Sequence, residues 1–125
     1  MNIPGNLKYT KDHEWVRIEG EMAVIGITDY AQNQLGDIVF IDIQTVGESL
    51  EKEEVFGAIE AVKTVADAFM PLSGTVEAMN EALESAPEMV NQDPYGEGWM
   101  IRIKISDPDQ IGGLLTPEAY AQLIA

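Results

Sequence analysis

The spacing of apolar positions changes along this chain, and each change predicts an element. Glu14 to Ile18 and Met22 to Ile27 are β-prone runs on either side of Glu19-Gly20-Glu21, so they predict a first hairpin. Thr28 to Gly36 opens on a capping threonine and closes on a glycine, the punctuation of a short helix. Ile38-Val39-Phe40-Ile41-Asp42-Ile43 is β-branched and almost wholly apolar, which predicts a strand buried on both faces or at the centre of a sandwich. Trp99 to Ile105 alternates cleanly, setting Arg102 and Lys104 on the face opposite Ile101, Ile103 and Ile105.

Three other segments read less simply. Val55, Ile59, Val62, Ala66 and Phe69 recur at helical spacing among alanines, and this periodicity by itself predicts a helix. A β reading needs a turn at Val62-Lys63-Thr64, which lacks the Gly, Asn, Asp or Pro that hairpin tips favour. Residues 80–98, broken by Pro87, Pro94, Gly96 and Gly98, predict mostly loop with a helical turn near Glu81 to Glu84. Thr116-Pro117-Glu118 supplies a cap, a first-position proline and a first-turn acid for a closing C-terminal helix. Val46-Gly47-Glu48 and Leu72-Ser73-Gly74 punctuate two faintly similar halves.

Length and charge narrow the setting. At 125 residues the chain predicts a single domain, residues 1–125, with a modest core. Its formal charge of -15 would repel nucleic acid phosphates and anionic membranes. No cysteine is present, which removes disulfides, thiolate metal sites and a cysteine nucleophile. The first residues lack the basic and apolar pattern of a leader, and no stretch approaches the about 20 apolar residues of a membrane span. A soluble cytoplasmic protein is expected.

Candidate chemistry is sparse. His13 is the only histidine, so no histidine-rich metal site exists, and no serine lies in a nucleophile-elbow context; a satisfied or strand-edge histidine is the plainer reading. Glu51-Lys52-Glu53-Glu54 and Asp107-Pro108-Asp109 lack the ligand spacing of a calcium loop, and Gly96-Glu97-Gly98 lacks a phosphate cradle. Lys63 stands out instead. It is the only basic residue between Lys52 and Arg102, and its neighbours are apolar or small. A lysine amine on a flexible stem suits either solvation or covalent attachment.

Sequence blocks spread over residues 7 to 115 carry a resemblance that bears on this choice. They are Tyr9-Thr10-Lys11-Asp12-His13-Glu14-Trp15-Val16, Val24-Ile25-Gly26-Ile27-Thr28-Asp29-Tyr30-Ala31-Gln32, Leu35-Gly36-Asp37-Ile38-Val39-Phe40, Pro71-Leu72-Ser73-Gly74, and the run from Val90 to Met100. In this order, around Glu60-Ala61-Val62-Lys63, they resemble the glycine cleavage system H protein family of lipoyl carriers. The resemblance implies a mainly β fold, a lipoyl/biotinyl-type β-sandwich or flattened hybrid barrel with short peripheral helices. It places Lys63 at the tip of an exposed hairpin, against the helical periodicity, and gives a reason for the small neighbours Ala61, Thr64 and Ala66: access to the amine.

The resemblance further implies a carrier, not an enzyme, with lipoate bound covalently to Lys63. The arm would accept an aminomethyl group from a pyridoxal-phosphate glycine decarboxylase (P protein) and present it to a tetrahydrofolate-dependent aminomethyltransferase (T protein). A dihydrolipoyl dehydrogenase (L protein) would reoxidise it, and a lipoate-attaching enzyme would install it; the carrier is expected to be a monomer. Gly47, Glu60, Asp67 and Gly74 match positions implied in recognition by the attaching enzyme. Their plain readings are turn geometry needing positive φ for the glycines and solvated surface for the acids. Glu14, with Asp12 and Asp67, matches an arm cleft whose carboxylate pairs with a cationic cargo; Asp12 stands where relatives often have serine. The alternatives are a lipoyl carrier of a 2-oxo acid dehydrogenase or a biotin carrier, a lipoate relay, and an unmodified interaction module. Val62 and Thr64, where a biotin carrier would have methionines, disfavour that last carrier type.

Overall fold

A computed structural model describes all 125 residues. Nine strands form two antiparallel sheets. The larger orders β1 (Lys8–Tyr9), β2 (Glu14–Glu19), β3 (Met22–Ile27), β9 (Ile101–Ile105), β8 (Gly74–Met79) and β5 (Ser49–Leu50). The smaller orders β4 (Ile38–Asp42), β6 (Val55–Ala61) and β7 (Val65–Phe69). Both sheets contribute to one core, in which Ile25, Val76, Ile101 and Ile103 of the larger meet Ile41, Phe56, Ile59 and Ala68 of the smaller. A second cluster of Leu7, Tyr9, Trp15, Val24 and Tyr120 lies where α3 (Pro117–Leu123) covers the larger sheet, with Tyr9 and Tyr120 stacked at 4.7 Å.

Local signals worked where local physics decides. The β2–β3 hairpin forms as expected, and Ile101 to Ile105 alternates buried with exposed. Thr28 caps α1 (Asp29–Leu35) by accepting from the Ala31 N–H, Gly36 ends it at φ 78°, and Thr116 caps α3 in the same way. The Glu81–Glu84 turn is a 3-10 helix. A short helix α2 (Met89–Gln92) also occupies the segment expected to be loop. The two faintly similar punctuation segments meet: the Gly47 N–H donates to the Val76 carbonyl and the Val76 N–H to the Glu48 carbonyl.

The helical periodicity of Val55 to Phe69 was misleading. These residues form the antiparallel pair β6–β7, with Ile59 opposite Ala66 and Glu60 opposite Val65. Alanine and valine fit either period at this length, and pairing with β4 on the other side of β6 settles the matter. The expectation for Ile38 to Ile43 also needs correction. β4 is an edge strand, and an irregularity between Ile38 and Phe40 breaks the alternation, leaving Val39 and Phe40 exposed.

The two glycines singled out by resemblance differ physically. Gly47 adopts φ 92° in an open turn, so backbone conformation explains it. Gly74 has no such angle; a side chain there would press directly on the Lys104 carbonyl oxygen, because β8 runs close against β9. Gly74→Ala is therefore expected to cost roughly 2–3 kcal/mol by overpacking, and Gly47→Ala about 1 kcal/mol by backbone strain. Urea unfolding midpoints check this, and equal stability of Gly74→Ala and wild type would contradict the close-packing account.

Candidate functional site: a hairpin-tip lysine beside an acidic cleft

The β6–β7 tip closes without a turn residue because hydrogen bonds substitute for turn propensity. The Ala61 N–H donates to the Thr64 carbonyl at 2.8 Å, and the Val62 N–H donates to the Asp37 carbonyl at 2.9 Å, tying the tip to the α1–β4 connection. Lys63 is exposed on this tip, and none of the three ion pairs of the chain involves it. Its stem lies over Gly36, where a Cβ would stand 3.5 Å from the Lys63 Cε. Gly36 in turn is held by Asn91 on α2. The Asn91 Nδ2 donates to the Gly36 carbonyl and to Gln32 Oε1, while its Oδ1 accepts from the Ile38 N–H.

A cleft of about 320 Å³ opens between α1, β7 and the turn before β2. Ile27, Leu35, Ile59 and Ala66 provide apolar wall; Asp12, Glu14 and Asp67 provide carboxyl groups, and no lysine or arginine lines it. Lys63 itself is not in the wall, but Gly36 beneath its stem directly follows the cleft residue Leu35. Asp12, Glu14 and Asp67, predicted together, do come together. Glu60 is half-buried on β6 outside the cleft wall, and Gly47 and Gly74 belong to the larger sheet's segments. The recognition set is thus dispersed, while the cleft set is assembled.

Glu14 is a buried acid. It is 2% exposed, accepts from the Thr10 hydroxyl at 2.6 Å, and has the Phe69 N–H at 3.5 Å from its other oxygen. Burial pushes its carboxyl up to about 7, against the opposing pull of the Thr10 hydrogen bond. No cation pairs with it. Glu14 and Asp12 also line a second cavity of about 230 Å³ with Tyr9, Lys11, Lys52 and Leu114, so Glu14 stands in the partition between two hollows.

His13, read as a satisfied histidine, is satisfied: its Nδ1 lies 2.8 Å from the Tyr120 hydroxyl, which also contacts the Thr28 hydroxyl at 2.7 Å. It occupies a turn at φ 69° and lines the cleft, a placement that sequence reasoning missed. Burial lowers its pKa, so the ring is neutral at neutral pH and adds no positive charge to the cleft. Tyr120, Tyr30 and Asn91 were also missed. Tyr30 tilts against His13 at 4.9 Å, and Tyr120 bolts the C-terminal helix to the turn and to the α1 cap. The only advance signal was an aromatic on a capped terminal helix.

The model of the glycine cleavage H-protein family matches residues 7–125. The chain belongs to that family. It is 60% identical over 124 residues to the glycine cleavage system H protein of Bacteroides thetaiotaomicron, spanning 99% of this chain and 98% of the relative. The glycine cleavage system H protein of Bacteroides fragilis is 56% identical over the same shares of the two chains. A crystal structure of a glycine cleavage system H protein from Mycobacterium marinum superposes with a TM-score of 0.87 at 38% identity, covering 96% of this chain and 97% of that one. The family's two-sheet β fold with short helices is the fold found here. No helix is long and apolar enough to cross a membrane.

The cleft acid makes a specific pH prediction. An unfolded glutamate ionises near 4.5, whereas folding keeps Glu14 neutral to near pH 7. Glu14 therefore favours the folded state fully below about pH 4.5, and this contribution is lost as pH rises through about 7. The stability of wild type minus that of Glu14→Gln is expected to fall by on the order of 2–3 kcal/mol between pH 4.5 and 8. Paired denaturation curves measure it; a difference independent of pH would refute the buried neutral acid.

Proposed function

We propose that the chain, as one domain, is the lipoyl-lysine carrier of a glycine cleavage system, with Lys63 as the attachment site. The observation that carries this reading is the free amine at a hairpin tip whose stem lies beside a cleft lined by three carboxyls and no lysine or arginine. The residues present fit the group. The amine has no carboxylate partner to displace, Ala61 and Thr64 leave it accessible, and the neighbouring cleft offers about 320 Å³. Bound as an amide on Nζ, lipoate would supply a disulfide able to be reduced and to carry a one-carbon amine.

The chain's own contribution is tethering and shelter. Amide formation removes the Lys63 charge and leaves a long flexible linker, so the tethered end is presented at high effective concentration to whichever active site is docked. Glu14, with Asp12 and Asp67, offers negative charge to a cargo ending in an ammonium group. A cation arriving beside Glu14 favours its ionised form, because the Coulomb attraction offsets the desolvation that holds it neutral. His13, kept neutral by burial, does not oppose that cation. The cleft thereby favours a charged cargo over an uncharged arm.

Glycine decarboxylase, an aminomethyltransferase and dihydrolipoyl dehydrogenase are the partners in this reading, with a lipoate-attaching enzyme acting first, in a cytoplasmic setting. In this reading the protein is the carrier, and the chemistry belongs to the enzymes that dock with it. Gly47, Glu60, Asp67 and Gly74 are proposed to assist the attaching enzyme, the glycines by shaping the segments that flank the hairpin sheet.

Intact mass after incubation with lipoate and a competent ligase tests the reading. Wild type is expected to gain a single lipoyl increment and Lys63→Ala none, with unfolding midpoints little changed, since the lysine makes no ion pair. An unmodified wild type would defeat the proposal. Glycine–carbon dioxide exchange with a decarboxylase then separates this pathway from 2-oxo acid dehydrogenation.

A further inference from the structure

The smaller sheet and its tip carry an unusual share of the chain's exposed apolar side chains. Of the eight large apolar side chains exposed on the whole chain, five (Val39, Phe40, Val55, Val62 and Val65) belong to this sheet or its hairpin tip. Such clustering differs from the single scattered apolar residues normal on a protein surface. Strand register assembles part of it into a row. Phe40 is paired with Glu60 and Glu60 with Val65, so these three side chains share one face across β4, β6 and β7. Val62, 75% exposed, continues the row to the residue next to Lys63. The irregularity in β4 turns Val39 outward beside Phe40 instead of into the core.

We propose that this shelf of Val39, Phe40, Val62 and Val65 is the docking surface for the enzyme that acylates Lys63, and that this enzyme offers it an apolar pad with a basic rim. The inference rests on Lys63 being the attachment site. Reach selects the occupant. Acylation happens at Nζ itself: the neutral amine attacks an activated lipoyl carbonyl, the amide bond forms, and the activating group leaves with its electron pair while the nitrogen gives up a proton, which ends on the leaving group or solvent. Nζ stands only a four-carbon stem from the backbone. An active site that closes on it must cover Val62 and Val65 beside it, and Phe40 across Glu60. Enzymes that work on the sulfurs meet them at the far end of the arm and have no such need. The basic rim follows from charge: Asp37 and Asp42 bound β4, Glu60 stands within the row between Phe40 and Val65, and Lys63 is the only cation of the hairpin.

The test compares wild type with Phe40→Ser/Val65→Ser, both exposed positions, and with Leu123→Ser as an exposed apolar control on α3. Initial rates of lipoyl incorporation by a purified lipoate ligase are followed by intact mass at varied carrier concentration. The double variant is expected to lose about tenfold or more in kcat/KM, carried by KM, with Leu123→Ser unchanged. Carriers driven to full lipoylation with excess ligase are then reduced by dihydrolipoyl dehydrogenase with NADH, where all three are expected to behave alike. Acylation of the double variant at the wild-type rate overturns the proposal. So does an equal or larger loss in the reduction step, which would assign the shelf to a sulfur-side partner. If wild type itself takes up no lipoyl group, the carrier reading fails with it, an outcome distinct from failure of the shelf alone.

Discussion

The Asn91 carboxamide holds together the region on which the rest of the site depends. One side chain satisfies the last turn of α1 through the Gly36 carbonyl and Gln32, and the first residue of β4 through the Ile38 N–H. The connection between α1 and β4 is thereby left with the Asp37 carbonyl turned to the hairpin tip, where it accepts from Val62. A tip with no turn-forming residue is thus fixed by backbone groups that are themselves fixed by Asn91. Lys63 can be free because its neighbours are not. Each link is a polar group that would otherwise need water, so loss of one leaves others unpaired and costly.

The cleft inherits its geometry from the same region and from the opposite end of the chain. α1 forms one wall, and its cap Thr28 shares the Tyr120 hydroxyl with His13. The C-terminal helix therefore sets where the turn carrying Asp12 and His13 lies, although it contributes nothing to the cleft wall. Glu14 follows that turn into β2, where burial takes its carboxyl out of water beside Thr10 and β7. A carboxyl held neutral by desolvation is a reserve of negative charge, released when a cation arrives. Its electrostatics depend on its near neighbours Thr10 and Asp12 and on β7, far along the chain.

Val39 shows how an edge strand joins structure to recognition. The β4 irregularity costs one position of core alternation and places two apolar side chains outside. An exposed edge with apolar residues is ordinarily an aggregation risk. The acids Asp37, Asp42 and Glu60 around it, in a chain of net charge -15, counter self-association by repulsion while leaving the face open to a basic partner.

The amino-acid sequence by itself determined the elements ruled by neighbours in the chain. The β2–β3 hairpin, the Thr28 and Thr116 caps, the proline start of α3 and the alternation of Ile101 to Ile105 are set by steric preference, capping and period within a few residues. The resemblance added the hairpin at Lys63 and the grouping of Asp12, Glu14 and Asp67. Tertiary structure decided the rest. Val55 to Phe69 matched a helical period until β4 paired with β6; nothing local told that Glu14 would be buried until β7 closed over it. Asn91 and Tyr120 had no role until α2 and α3 docked. In each case the deciding partner lies many residues away, and hydrogen bonding and desolvation act through space, so no local window of sequence contains the cause.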